Sequence, residues 1–363
     1  MSGHFTSLLA AAAQEEHGQR VPVTVLTGFL GSGKTTLLNR LLQLPDLQGT
    51  AVIVNEFGTV GIDQDLIARA SDDTILLPNG CLCCAMRGDL VEALARLAEQ
   101  GEIAGAPLKQ VLIETSGLAD PGPILRTLMG EPAVRPRFAV AGVACTVDAV
   151  LGMGTLDAHP ESVQQVAVAD ALLLTKLDLI DGPPSPALLE RLRSLNAHAA
   201  LHPARDSLPQ ALRDLMQRHD ALSGAAARTG AQAEAPFYRP INPATAADEA
   251  PRHRDGISSF VLVREEPLPR EAFFTWMDLL VASRGEDLLR VKGLVHLAES
   301  PGQPLVIHGV QHLFHPPEAL PAWPSADRRT RIVFITRGLD AEALGQTLDV
   351  LVRRHMRSRR STP

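Results

Sequence analysis

Aromatic residues make up only 4% of this 363-residue chain, with one tyrosine and two tryptophans. That scarcity removes the stacking platforms on which single-stranded nucleic acids lie. Basic residues are outnumbered: 34 Lys and Arg against 41 Asp and Glu leave a net charge of -7. Neither nucleic acid nor an anionic membrane therefore has an electrostatic footing. No run of about 18 apolar residues occurs, so no membrane-spanning helix is expected. The apolar stretch Leu8–Ala13 has no Lys or Arg ahead of it and ends in Gln14-Glu15-Glu16. It does not read as a secretory signal. Residues 1–20 are read as a loose extension of a cytoplasmic protein. Cysteine is also scarce, and three of the four crowd together at Cys81, Cys83 and Cys84. Such crowding makes a poor disulfide framework and points to metal or redox chemistry. There are no internal repeats.

What is present is an ordinary globular balance, 45% hydrophobic and 21% charged, in a length that suits about two domains. The run Gly28-Phe29-Leu30-Gly31-Ser32-Gly33-Lys34-Thr35 matches the G-x-x-x-x-G-K-[ST] phosphate loop in full. Its glycines let successive backbone N–H groups face one concave nest around a polyphosphate. Lys34 adds a point charge at the outer phosphates, and Thr35 offers a hydroxyl to Mg2+. The β-branched run Val21–Thr27 precedes it as a strand, and Thr36–Leu42 continues as a helix whose N-terminus favours the same anion. Gly28, Gly31, Ser32, Gly33, Lys34, Thr35 and Thr36 are the expected nucleotide contacts.

Strands are expected over Val21–Thr27, Ala51–Asn55, Thr74–Leu77, Val111–Glu114, Phe138–Val147 and Ala171–Thr175, with helices near 34–44, 88–100, 121–129, 161–168 and 186–195. That alternation predicts an α/β fold: the parallel sheet of a P-loop NTPase, with helices on both faces, over residues 21–221. Ligands then gather at the carboxyl ends of the strands. Residues 222–256 lose apolar periodicity and carry Pro236, Pro240, Pro243 and Pro251, a linker composition. A smaller α+β domain is expected over 257–354. Its strands are Ile257–Val263, one within Leu288–Ala298, Pro304–Val310 and Arg331–Thr336; its helices are Arg270–Ser283 and Ala341–Arg353. A basic, frayed tail is expected over 355–363.

Several further constellations fall at strand ends. In Thr175-Lys176-Leu177-Asp178, the Asp178 carboxylate can accept from the ring N–H and exocyclic amine of guanine together, and the Lys176 stem can cover the purine face. In Glu114-Thr115-Ser116-Gly117, the acid can hold Mg2+ or cap the next turn, and Gly117 lets the backbone approach and sense a γ-phosphate. Cys81-Leu82-Cys83-Cys84 follows the turn Pro78-Asn79-Gly80. Its thiolates suit Zn2+ or a similar borderline metal, and Glu56 is the candidate fourth ligand unless one position stays open. Buried packing thiols or a redox cluster are the alternatives. Asp63 either positions Mg2+ or the attacking water, or caps a helix. Lys34, Glu114 and Asp63 are the expected catalytic residues. Cys145, alone in an apolar strand, reads as core. His308, His312 and His315 could ligate metal, but their loop spacing favours a structural or surface role.

Taken together, the chain resembles the CobW family of P-loop GTPases, relatives of the nickel chaperones of urease and hydrogenase maturation. The resemblance rests on Gly28–Thr35, Asn55-Glu56-Phe57-Gly58, Cys81-x-Cys83-Cys84, Glu114-x-x-Gly117 and Thr175-Lys176-x-Asp178, and in the second domain on Arg290–Gly293 and Arg331–Ile335. It implies GTP hydrolysis with Mg2+, slow because no arginine finger is evident. It also implies Zn2+, or next Co2+, bound at the C-x-C-C and handed to a client apo-protein. GTP would order the loops at 55–65 and 78–84 and so couple metal affinity to nucleotide state. Two departures stand out. Thr175 takes the place of an asparagine that braces the loop, and the linker carries only His253 where a histidine-rich tract is common. A P-loop kinase or ATPase with a structural zinc, and a GTP-gated binding protein, are the rival readings. A homodimer is left open.

Overall fold

The structure, a computed structural model, describes residues 20–42, 49–54, 74–76, 85–103, 106–202, 210–212, 215–216 and 256–360. The chain divides into two compact units near residue 228.

In the first unit, β1 (Val21–Gly28) leads into α1 (Lys34–Leu42), followed by β2 (Thr50–Val54), β3 (Thr74–Leu76) and α2 (Ala85–Gln100). A two-residue pair, β4 (Glu102–Ile103) and β5 (Ala106–Pro107), precedes β6 (Gln110–Glu114) and α3 (Gly122–Gly130). Then come β7 (Phe138–Asp148), α4 (Gly152–Ala158), α5 (Pro160–Val168), β8 (Ala171–Thr175), α6 (Pro186–Leu195) and β9 (Ala200–His202). Seven strands form one sheet in the order β3-β2-β6-β1-β7-β8-β9, every neighbouring pair parallel. β1 is the switch point: the chain leaves it toward β2 and β3, returns beside it as β6, then crosses to β7 on its other flank. Such a crevice at the strands' carboxyl ends is where α/β sheets take ligands.

Pro22 through Gly28 of β1 are all buried, so both faces of the sheet's centre are covered. One covering layer is α1, whose Leu37, Leu38 and Leu41 pack on Leu26, Val52 and Leu112. The spacing i, i+1, i+4 turns one face of a nine-residue helix inward. Prolines at the first turn start α5 and α6, where a missing N–H costs nothing.

The second unit begins with β10 (Ile257–Arg264) and α7 (Arg270–Arg284). It continues through β11 (Leu288–Val295), β12 (Leu305–Val310), β13 (Leu313–Phe314), β14 (Glu318–Ala319) and β15 (Thr330–Arg337) to α8 (Ala341–Arg360). The antiparallel sheet runs β10-β15-β11-β12-β13, with β14 on β12. Phe273, Trp276 and Met277 of α7 and Leu344 and Leu348 of α8 share a core with Ile332 and Phe334 of β15. The buried indole keeps a partner: Trp276 Nε1 donates to Thr347 Oγ1 at 3.0 Å. Arg264 ties β10 to α8, donating to Asp349 Oδ1 at 2.8 Å and to the Gly345 carbonyl at 2.9 Å. The smaller α+β domain is thus an antiparallel sheet with both helices in its core.

One expectation is corrected here. The tail from His355 was read as frayed, but α8 runs on to Arg360. Arginine is a strong helix former, and His355 Nδ1 lies 3.3 Å from Glu271 Oε2 on α7. Apart from Arg20 and Gly256, the expected extension at 1–20 and the expected linker at 222–256 lie outside the described residues.

Candidate functional site

The phosphate loop sits at the carboxyl end of β1, between β6 and β7. Gly28 has φ +141° and lies so close to Thr146 that a Cβ there would overlap it; only glycine lets the chain turn at this point. Gly31, Ser32 and Gly33 carry the loop round to α1, which starts at Lys34. Ser32 Oγ and Thr146 Oγ1 are 2.6 Å apart, tying the loop to β7. The buried Lys34 Nζ donates to the Gly28 carbonyl at 2.9 Å and the Phe29 carbonyl at 3.2 Å. Its charge is thereby held inside the loop. Thr36, one residue into the helix from Thr35, is exposed.

Thr35 Oγ1 donates to Glu114 Oε1 at 2.8 Å. This contact spans two strands' ends and brings together the hydroxyl and the carboxylate expected at Mg2+. Both are hard oxygens, the donor type Mg2+ takes. Glu114 is buried at the end of β6, in register with Leu26 of β1. The next residue locks the same junction: the Thr115 N–H donates to the Leu26 carbonyl at 2.9 Å and its hydroxyl to Thr27 Oγ1 at 2.9 Å. Gly117 then passes directly over the phosphate loop. A Cβ on it would stand 2.6 Å from Leu30 N and 2.7 Å from Leu30 Cα, so glycine is required for this approach too.

Thr175 ends β8 and reaches back to the loop. Its hydroxyl donates to the Ser32 carbonyl at 2.6 Å and shares that proton with the Val147 carbonyl at 3.2 Å. The bracing contact associated with asparagine is therefore made by a threonine. Lys176 follows with φ 56°, a left-handed turn for a non-glycine residue. Its Nζ pairs with Asp148 Oδ2 at 2.7 Å. Asp148 Oδ1 in turn accepts the N–H groups of Val150 at 2.8 Å and Leu151 at 3.0 Å. Burial pushes the Asp148 carboxyl up, but the Lys176 hydrogen bond and the two N–H groups outweigh it and hold it below the usual carboxylate value. Asp178 stands exposed in the single turn Leu177–Leu179 beyond β8.

Cys145 lies buried within β7, and burial pushes its thiol up to about 12 despite the nearby Lys34 charge. It stays protonated and belongs to the core, as expected. His308 of β12 and His315, the residue after β13, have ring centroids 6.3 Å apart. His312 packs against Gly285. Among the described residues no three His, Cys, Asp or Glu side chains gather to hold a metal. Cys81, Cys83, Cys84, Glu56 and Asp63 lie outside the described residues.

Three site residues escaped the sequence reading. Asp148 anchors Lys176, Thr146 receives the loop, and the buried Gln165 Nε2 holds the loop after β6 by donating to the Gly117 carbonyl at 3.2 Å and the Ala119 carbonyl at 3.0 Å. Asp148 carried one usable signal, an acid closing a long apolar strand. Gln165 carried none, since the glutamines of Gln164-Gln165 on a helix read as surface.

Comparison with known proteins agrees with this geometry. A model of the CobW/HypB/UreG nucleotide-binding domain matches residues 22–203, and one of the cobalamin synthesis protein cobW C-terminal domain matches residues 257–352. The zinc chaperone YjiA of Escherichia coli is 31% identical over 89% of this chain and 96% of its own length. The zinc chaperone CobW of Pseudomonas aeruginosa is 32% identical over 91% of each. A crystal structure of the Zn(II)-bound YjiA GTPase superposes with a TM-score of 0.62 at 26% identity, covering 92% of this chain and 99% of that one. The chain belongs to the CobW/HypB/UreG family, with a nucleotide-binding domain followed by a CobW C-terminal domain.

Proposed function

We propose that this chain is a GTP-hydrolysing metallochaperone that takes up zinc and passes it to a client apo-protein. The observation that carries the nucleotide half is the Thr35–Glu114 contact of 2.8 Å beside a buried Lys34. It sets a cation-binding hydroxyl and carboxylate together at the mouth of the phosphate nest. Two relatives named as zinc chaperones, similar over about nine-tenths of this chain, support the zinc half.

The residues divide the work as follows. Backbone N–H groups of Gly31 to Thr36 cradle the phosphates, and Lys34 exchanges its two loop carbonyls for phosphate oxygens. Thr35 and Glu114 would hold Mg2+, which neutralises charge on the phosphates as they separate. Gly117 reads the γ-phosphate through its approach to Leu30. Thr175 and Lys176 brace the loop, and Asp178 selects guanine. We assign zinc, or next Co2+, to Cys81, Cys83 and Cys84 with Glu56, and a place near the attacking water to Asp63. Among the described residues no helix is long and apolar enough to cross a membrane, and we place the protein in the cytoplasm. A homodimer is compatible with this scheme.

Competition binding and turnover test the nucleotide half. GTP is expected to bind more tightly than ATP and to yield GDP and free phosphate. Asp178→Ala is expected to erase the preference for GTP. Equal affinity for both nucleotides, or transfer of phosphate to an acceptor other than water, would point instead to an ATPase or a kinase.

A further inference from the structure

The corner between α4 and α5 lays an aromatic ring against the phosphate loop. His159, the single residue between the two helices, stacks on Phe29, with ring centroids 4.4 Å apart and planes 25° apart. Phe29 is half-buried and His159 is exposed. Phe29 is also the residue on which the loop closes. Its carbonyl accepts the Ser32 N–H at 3.1 Å and Lys34 Nζ at 3.2 Å. It therefore shapes the tight turn and holds the charge that is to meet the phosphates. Thr146 and Thr175 grip the loop at Ser32, its middle. The stack acts earlier in the loop, on the turn that Phe29 opens.

The imidazole stands on a rigid mount. The His159 N–H donates to the Thr155 carbonyl at 3.0 Å, and the His159 carbonyl accepts the Ser162 N–H at 3.1 Å and the Ser162 hydroxyl at 2.7 Å. Pro160 opens α5 directly after it, and Ser162, Val163 and Val166 are buried. Farther along α5, Gln165 donates to the Gly117 and Ala119 carbonyls. One helix thus meets both loops assigned to the phosphates, the phosphate loop through His159 and the loop after β6 through Gln165. With its backbone already fixed, His159 gives up only side-chain torsions when it stacks.

We propose that His159 is a positioning residue for GTP: its ring, stacked on Phe29, holds the first turn of the phosphate loop in the shape the phosphates need. It acts through Phe29 and touches neither nucleotide nor Mg2+. The inference rests on the reading of Gly28–Thr35 as the GTP phosphate loop. That loop must be ordered around bound GTP and around the transition state alike. Losing the stack therefore weakens binding without slowing the chemical step.

Affinity for a non-hydrolysable GTP analogue and steady-state GTP hydrolysis, both on the full chain, test this. His159→Ala is expected to weaken analogue binding and raise KM about fivefold, with kcat within about twofold of the parent and an unchanged melting midpoint. His159→Phe, which keeps a ring on Phe29, is expected to restore affinity and KM to within about twofold. Phe29→Leu is expected to weaken binding as His159→Ala does, and the double variant to be no weaker than either single one. Parent-like affinity in a folded His159→Ala chain, a folded His159→Phe chain as weak as His159→Ala, or additive losses in the double variant would each overturn the proposal. A parent chain that binds no GTP would instead overturn the nucleotide reading, and the proposal with it.

Discussion

Thr175 and Ser32, far apart in sequence, are joined by a 2.6 Å hydrogen bond from the Thr175 hydroxyl to the Ser32 carbonyl. Through it the end of β8 holds the middle of the phosphate loop. Removing the hydroxyl while keeping the shape, as in Thr175→Val, leaves a buried carbonyl short of its donor. That costs about 1–3 kcal/mol. GDP dissociation, followed with a fluorescent analogue, is expected to speed up roughly tenfold in Thr175→Val. Thr175→Ser is expected to stay within about twofold of the parent. Equal rates in all three chains would remove the brace.

Gly117→Ala is expected to separate folding from turnover. The added Cβ meets Leu30 backbone at 2.6 Å, and backbone cannot rotate aside. Either the loop after β6 or the phosphate loop must retreat. Overpacking of this kind costs about 1–3 kcal/mol of stability. A displacement near 1 Å at a reacting centre costs on the order of a hundredfold in rate. Steady-state hydrolysis beside a denaturant melt distinguishes the two effects. Wild-type turnover in the variant would show that Gly117 does not act at the γ-phosphate.

The Asp148–Lys176 pair is expected to matter more to the nucleotide than to the fold. Lys176 is about one-third exposed, so a double-mutant cycle on stability should give only about 0.5–1 kcal/mol of coupling. Asp148→Ala is nonetheless expected to weaken GDP binding, because Lys176 loses the anchor that aims its stem. The Asp148 carboxyl is held below its ordinary value, chiefly by Lys176 against the pull of burial. Its contribution to stability is present above the unfolded carboxylate pKa near about 3.9 and is lost as pH falls through the lower folded value. Asp148→Ala should therefore leave the pH dependence of stability between 5 and 8 unchanged, as read by urea melts.

His198 makes stability sensitive to acid over a higher pH window. Burial pushes its imidazole down to about 4 in the folded chain. Between the ordinary value near about 6.5 and that folded value, the unfolded state takes up a proton that the folded state refuses. Stability of the first unit is expected to fall as pH drops from 6.5 toward 4. His198→Asn should flatten that part of the urea-midpoint profile. An identical slope in the variant would assign the loss to carboxylates instead.

The central strands and the phosphate loop were legible because their signals are local: β-branched runs, a glycine pattern, a helix at once after it. β1, β2, β6 and β8 fall within a residue of the expected ranges at each end. α4 (Gly152–Ala158) was not foreseen, since Gly152 and Gly154 lower its propensity. Asp148 fixes the turn that leads into it by accepting the N–H groups of Val150 and Leu151, and Ser162 of α5 donates to its Thr155 carbonyl. β9 and the β4–β5 pair are too short to show any period. Within the site, the position of Thr175 was readable but its sufficiency was not. Whether a threonine hydroxyl reaches a loop carbonyl depends on how closely β8 and the loop approach, and that is set by packing. Gln165 was invisible for the same reason: its role exists only once α5 lies under the loop after β6.

Zinc affinity of the full chain, measured by chelator competition with and without a non-hydrolysable GTP analogue, bears most directly on the claim that nucleotide and metal are coupled. The analogue is expected to change zinc affinity at least about fivefold, zinc to change analogue affinity by the same factor, and Cys81→Ser to remove the effect. Zinc affinity unchanged by the analogue, with both ligands shown to be bound, would contradict it.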